Sequence, residues 1–305
     1  DWCYVFNFDD MRTPMALRLP AGRGVGLRQD IHELVATCLR DMVQAFQSDA
    51  YLETRSDLVE TLKNAQQQEF EQLAQAANES KFALAKSPFG FVMMPVRDDK
   101  PLTPEEIEQL SPDEVETIRT REQALQQKIQ EALGRLRDLA AEIHAKLDEL
   151  NERIAEFVIT PLVEALRPRY ADLPEVPAYL DAVKTDLIAH GQRLQEREDN
   201  HPNEEAVNTA NNKLSGWIKR YEVNVLVNRA ETEHAPVVVE HHPTYYNLIG
   251  RVEHEVTQSG AQTDFTMIRA GALHRANGGY LIVPARDLIS QPFAWDGLKR
   301  ALRSG

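Results

Sequence analysis

From Val115 to Phe157 the apolar residues return in steps of three and four. Val115, Ile118, Leu125, Ile129, Ala132, Leu136, Leu139 and Ile143 are followed, after one extra step of four, by Leu147, Leu150, Ile154 and Phe157. This is a coiled-coil seam with a stutter, interrupted at Glu122. A helix over 112–158 would be roughly 70 Å long at about 1.5 Å per residue. A rod of that length cannot bury its stripe alone. It must lie against the helices expected at 27–78, against later helices, or against a neighbouring subunit. Its start is marked by Ser111-Pro-Asp-Glu114, a cap residue, a proline and a capping-box glutamate, and Thr103-Pro-Glu-Glu106 carries the same signal.

Helical spacing also covers 27–48, where Leu27, Ile31, Leu34, Val35, Cys38, Leu39, Met42 and Phe46 share one face. A Gln- and Glu-rich helix follows over about 51–78. Pro161 is expected to kink or restart the long helix, and a further helix is expected over about 179–195. Residues 196–204 read as a polar loop, with a short helix ending at Ile218. Between the second helix and the long one, residues 81–96 alternate around Ser87-Pro-Phe-Gly90, which predicts a β-hairpin. Phe89, Phe91, Met93 and Met94 would then form an apolar patch suited to unfolded chains, unless helices cover it.

Both ends of the chain change character. Residues 2–8 and 15–19 read as strands, as do 221–227 and 236–240. Tyr280-Leu-Ile-Val283 is an unbroken apolar run, as in a strand covered on both faces, and such strands between helical segments predict a mostly parallel α/β layer. The fold class is therefore mixed α and β and predominantly helical. An α/β sheet drawn from 1–26 and 219–305 would carry a helical insertion over 27–218.

The net charge of −14 argues against a nucleic-acid partner, since phosphate contacts need basic surface. No apolar run reaches membrane-spanning length. The two cysteines, Cys3 and Cys38, read as buried free thiols, which fits a cytoplasmic location.

The segment Gly271-Ala-Leu-His-Arg-Ala-Asn-Gly-Gly-Tyr-Leu-Ile-Val283 resembles the stretch leading into the Walker B strand of an AAA+ module of the Lon-like protease type, the bacterial LonB/LonC-like proteins. Asn247-Leu-Ile-Gly-Arg-Val-Glu-His254 is similar to the loop that points into the central pore of such rings. The first strand pair also looks like that family, and the helical middle matches it by arrangement. The resemblance implies an internal region of a ring-forming, ATP-dependent serine protease. Unfolded or damaged polypeptides would be its substrates, and the insertion would recognise, gate or feed them. It implies that Tyr245, Tyr246, Leu248 and Ile249 grip polypeptide; ordinary packing under the sheet is the plain alternative. A coiled-coil module for self-assembly, without substrate binding, is the alternative function.

The departures are equally specific. A Walker B strand ends in acids that hold Mg²⁺ and polarise water. After Tyr280, Leu281, Ile282 and Val283 this chain has Pro284 and Ala285, with Asp287 displaced along the sequence. No GxxxxGK[ST] segment occurs, and Gly22-Arg-Gly-Val-Gly26 reads as a flexible helix entry. No cofactor is expected in this chain, ATP and Mg²⁺ being left to the parent protein. No Ser/Lys pair can be placed, Thr185, Ser215 and Ser290 being isolated, so peptide cleavage is not expected here. His241, His242, His254 and His274 show no zinc spacing, and no metal is expected.

Overall fold

The computed structural model describes residues 1–87, 90–97, 100–102, 111–191, 217–232, 234–257 and 260–304. They form a mixed, predominantly helical chain with one very long helix and several small sheets. By compactness the chain divides into residues 1–45 with 152–305, and residues 46–151. The first body therefore contains both chain ends.

In that body β1 (Trp2–Val5) and β2 (Met15–Arg18) form an antiparallel pair. Helix α1 (Arg23–Phe46) follows directly. The Asp1 carboxylate accepts from the Gly24 N–H at 2.7 Å, so the glycine segment is the first turn of the helix. A β-carbon on Gly24 would meet the Cys3 sulfur at 2.8 Å, which is the physical reason for glycine there. Every apolar position expected of α1 is buried except the half-covered Leu39.

In residues 46–151, α2 (Asp49–Glu79) leads through Lys81, whose φ is +62°, into a three-stranded antiparallel sheet. Its strands are β3 (Phe82–Ser87), β4 (Gly90–Arg97) and β5 (Lys100–Pro101), with Ser87 opposite Gly90 as the hairpin reading requires. Helix α3 (Pro112–Leu166) starts at the expected capping box. The Ser111 N–H and hydroxyl both donate to Glu114 Oε2, and Ser111 Oγ accepts from the Glu114 N–H. The Thr103 signal lies outside the described residues. Leu125, Ile129 and Ala132 of the seam are buried with Leu73, Ala77 and Phe82. Arg135 pairs with Glu69 through two hydrogen bonds of 2.9 and 2.8 Å. The Tyr51 hydroxyl donates to the buried Asn151 at 2.8 Å.

Two expectations for this helix are corrected. Of the kink or restart expected at Pro161, the restart does not occur: the helix runs on to Leu166. The bond lost at Pro161 falls on the exposed face, where water can serve the Phe157 carbonyl. Phe157 is itself exposed, and the burial has shifted to Ala155, Ile159 and Val163. A 3₁₀ turn, Arg167–Tyr170, and α4 (Glu175–His190) follow, α4 burying Val176, Tyr179, Leu180, Val183 and Leu187. The polar loop expected at 196–204 lies outside the described residues.

The chain returns through a 3₁₀ turn at Lys219–Tyr221 to β6 (Asn224–Val227), which pairs with β1 in the order β2-β1-β6. Strand β6, which follows the helical stretch, thus shares a sheet with the N-terminal strands. The strands β7 (Val237–Val239) and β12 (Tyr280–Ile282) form a separate parallel pair. Between them lie α5 (Tyr245–Ile249), β8 (Gly250–Val252), the hairpin β9 (Glu255–Thr257) and β10 (Gly260–Gln262), β11 (Ile268–Ala270), and α6 (Ala272–Ala276). Helices α7 (Ala285–Ser290) and α8 (Ala294–Ser304) complete the described chain.

The expected single, mostly parallel sheet is therefore several small sheets, and β7–β12 is the parallel pair among them. Nor is β12 covered on both faces. Leu281 and Val238 pack into the core of Leu248, Ala272, Leu288, Ala294 and Leu298. Tyr280, Ile282, Val237 and Val239 stand exposed on the other face, because the neighbouring helices supply apolar cover to one side.

Candidate functional site

Two places in the body formed by the chain ends concentrate the residues singled out from sequence. The first is the carboxyl end of β7 and β12, where open α/β sheets place ligands. Leaving β12, Pro284 occupies the N-cap of α7 and Ala285 begins the helix. Neither side chain offers an oxygen to a cation, and Asp287 is exposed in the first turn of α7. Glu240 stands at the end of the neighbouring strand. Its Oε1 accepts from the His242 N–H at 3.0 Å, and its Oε2 accepts from Arg275 at 3.3 Å. Glu240 thus serves as a backbone and arginine anchor. The residues present do not fit an Mg²⁺–phosphate site, whose metal needs oxygen ligands free to coordinate it. Among the described residues no group of three metal-ligating side chains converges.

His274 lies beside this end. Its ring meets Trp2 edge-on at 6.5 Å, and its Nδ1 faces the Gly271 N–H at 3.4 Å. Burial lowers its pKa below the ordinary imidazole value. Arg229 also ties the chain ends together: its N–H donates to the Asp1 carboxylate at 2.7 Å, and its guanidinium donates to the carbonyls of Arg275 and Asn277.

The second place is a cleft of about 790 Å³ between α5 and α8. Thr244 caps α5, accepting from the Asn247 N–H at 3.2 Å. The helix ends after five residues at Gly250, whose φ is +103° and whose missing β-carbon leaves room for the Arg269 carbonyl. This turns 247–254, read as a loop, into the end of a helix followed by strand β8, which pairs with β11. Of the four residues singled out on it, Leu248 is fully buried and Ile249 packs half-buried beside it, so both hold α5 in place. Tyr245, its ring against α8 at Gly297, is partly exposed; Tyr246 is 63% exposed, and the two rings lie 5.8 Å apart and nearly perpendicular. In the neighbouring β9–β10 hairpin Val256 is exposed.

Phe293, Gly297 and Arg300 line the same cleft and were not singled out from sequence. The adjacent aromatics of Pro292-Phe-Ala-Trp295 were the available signal. In the other body, Met93 packs half-buried against the α2–α3 core while Met94 is partly exposed. Phe89 and the side chain of Phe91 lie outside the described residues.

With this geometry in view, the comparisons are specific. Residues 233–305 match the family model for the LonB-like AAA domain. Residues 1–34 match the model for the Lon-like LonC helical domain. The second match takes in β1, β2 and the first half of α1. No curated protein matches the chain. The two ends of the chain are thus each similar to a segment of Lon-like proteins.

Proposed function

Starting from two Lon-like ends, we propose that this protein works in Lon-type protein degradation as a polypeptide-engaging part, without cutting peptide bonds itself. The observation that carries the reading is the pair Tyr245–Tyr246, held on a Lon-like AAA segment by the buried Leu248. Aromatic faces grip an extended chain through non-directional contacts, which suits unfolded or damaged substrates of any sequence. The stretch 27–218 acts as the helical insertion, and its hairpin face at Met94 helps to gather or feed substrate. Assembly of copies into a ring and a cytoplasmic location belong to the same reading. Nucleotide chemistry, ATP with Mg²⁺, belongs to other segments of the parent protein, because Pro284 and Ala285 stand where metal-binding acids would.

The test is a fluorescence-anisotropy titration with a labelled, reduced and carboxymethylated protein that cannot refold. Saturable binding without cleavage is expected. Tyr246→Ala should weaken it about 5- to 30-fold, the range of a strong interface anchor. Absence of saturable binding would contradict the proposal.

A second reading is favoured by Leu52, Val59 and Leu133, which stay exposed on α2 and α3. In that reading these positions join copies of the chain, and substrate binds elsewhere. Leu52→Glu with Val59→Glu would then abolish self-association in sedimentation while polypeptide affinity survives.

A further inference from the structure

Phe293 precedes α8 with a φ of +63°, a left-handed conformation that a bulky residue adopts under strain. Its ring is nevertheless 78% exposed, so no core packing compensates for that strain. Strain of this kind persists where the surroundings force it, and it gathers at ligand clamps. Here it holds an aromatic ring at the mouth of the α5–α8 cleft. Opposite, the Tyr245 ring lies so close to α8 that a β-carbon on Gly297 would come within 2.7 Å of it. The lining of the cleft thus brings the rings of Phe293, Tyr245 and Tyr246 together with Ile249 and Pro292.

Its charges are unequal. Asp296 is engaged by Lys299 at 2.8 Å. Arg300, which lines the same cleft, also acts electrostatically on Asp296, so two cations share this one carboxylate. With two cations sharing one carboxylate the cleft keeps an excess of positive charge beside its aromatic and apolar lining, which suits a ligand that carries a large apolar group and an anion close together. Within an extended chain, neighbouring side chains point to opposite faces. A C-terminal residue is different, because its side chain and its α-carboxylate leave the same Cα.

We propose that the α5–α8 cleft captures the C-terminal residue of a polypeptide, with a large apolar side chain between Phe293 and the two tyrosines and the α-carboxylate on Arg300. This rests on the polypeptide-engaging reading and names its substrate class.

The test uses the whole chain and fluorescein-labelled decapeptides ending in leucine, one with a free carboxylate and one with a carboxamide. A third peptide is amidated and carries an aspartate two residues before its end. The free acid is expected to bind at least about tenfold more tightly than the amide, as a charge-assisted guanidinium–carboxylate contact allows. Arg300→Gln should bring the two within about twofold. Phe293→Gly should weaken both peptides while the melting temperature holds or rises, since glycine relieves the backbone. Equal affinity for acid and amide would overturn the assignment while leaving the broader reading intact, provided the carboxymethylated protein still binds. Failure of all three peptides and of that protein would overturn both. If the aspartate peptide matches the free acid, the anion is an internal side chain and the C-terminal assignment fails.

Discussion

His274 is the residue whose titration reports on the joining of the chain ends. Its ring packs against Trp2, and burial holds its pKa below the ordinary 6.5. As the pH falls through 6.5 the unfolded chain takes up a proton that the folded chain resists. Stability must therefore fall with falling pH until the folded pKa is passed. Urea unfolding at pH 7.5 and 5.5 should show this loss in the native chain and a smaller one in His274→Gln; equal losses would contradict it. The cysteines give a second residue-scale outcome. Burial pushes the Cys3 thiol up to about 11 and Cys38 to about 12, so almost no thiolate exists near neutrality. Iodoacetamide at pH 8 should label neither in the native chain and both after denaturation. Their burial was legible in sequence, because each sits in phase with apolar neighbours. The strain at Phe293 was not, since no side-chain pattern announces a positive φ.

At the scale of elements, glycines separate close approach from mere tolerance. A β-carbon on Gly279 would collide with the Pro236 carbonyl oxygen at the start of the β7–β12 pairing. Gly279→Ala should cost about 1–3 kcal/mol in denaturant unfolding, as overpacking does. Gly134, inside α3, has open space around its missing side chain. Gly134→Ala should stabilise by about 0.5–1 kcal/mol through helix propensity and a less disordered unfolded chain. The helices were readable because an amphipathic stripe and a capping box are local signals, and Ser111–Glu114 forms the bonds its spacing predicts. The helix continues through Pro161 because a missing N–H matters less on an exposed face. The segment 247–254 misled because Thr244 and Gly250 enclose only five helical residues, too few for a periodic pattern.

At the scale of the whole molecule, the distant pairing of β1 with β6 brings the chain ends into one body, and the helical stretch departs from it and returns. A pairing over more than two hundred residues leaves no local trace in the sequence. Nor did the sequence carry the exposure of Tyr280 and Ile282, because an apolar run is silent about which face finds cover. The proposed reading separates polypeptide engagement from nucleotide chemistry. Calorimetric titration with ATP and Mg²⁺ should give no binding heat from this chain, and measurable binding would mean that other groups replace the missing acids. The central claim, that unfolded polypeptide is held at the α5–α8 cleft, is tested most directly by photocrosslinking a benzophenone-bearing unfolded protein to the chain and locating the adducts by mass spectrometry. Adducts within 244–249 and 291–301 are predicted. Adducts confined to the helices of 46–151, or none, would contradict it.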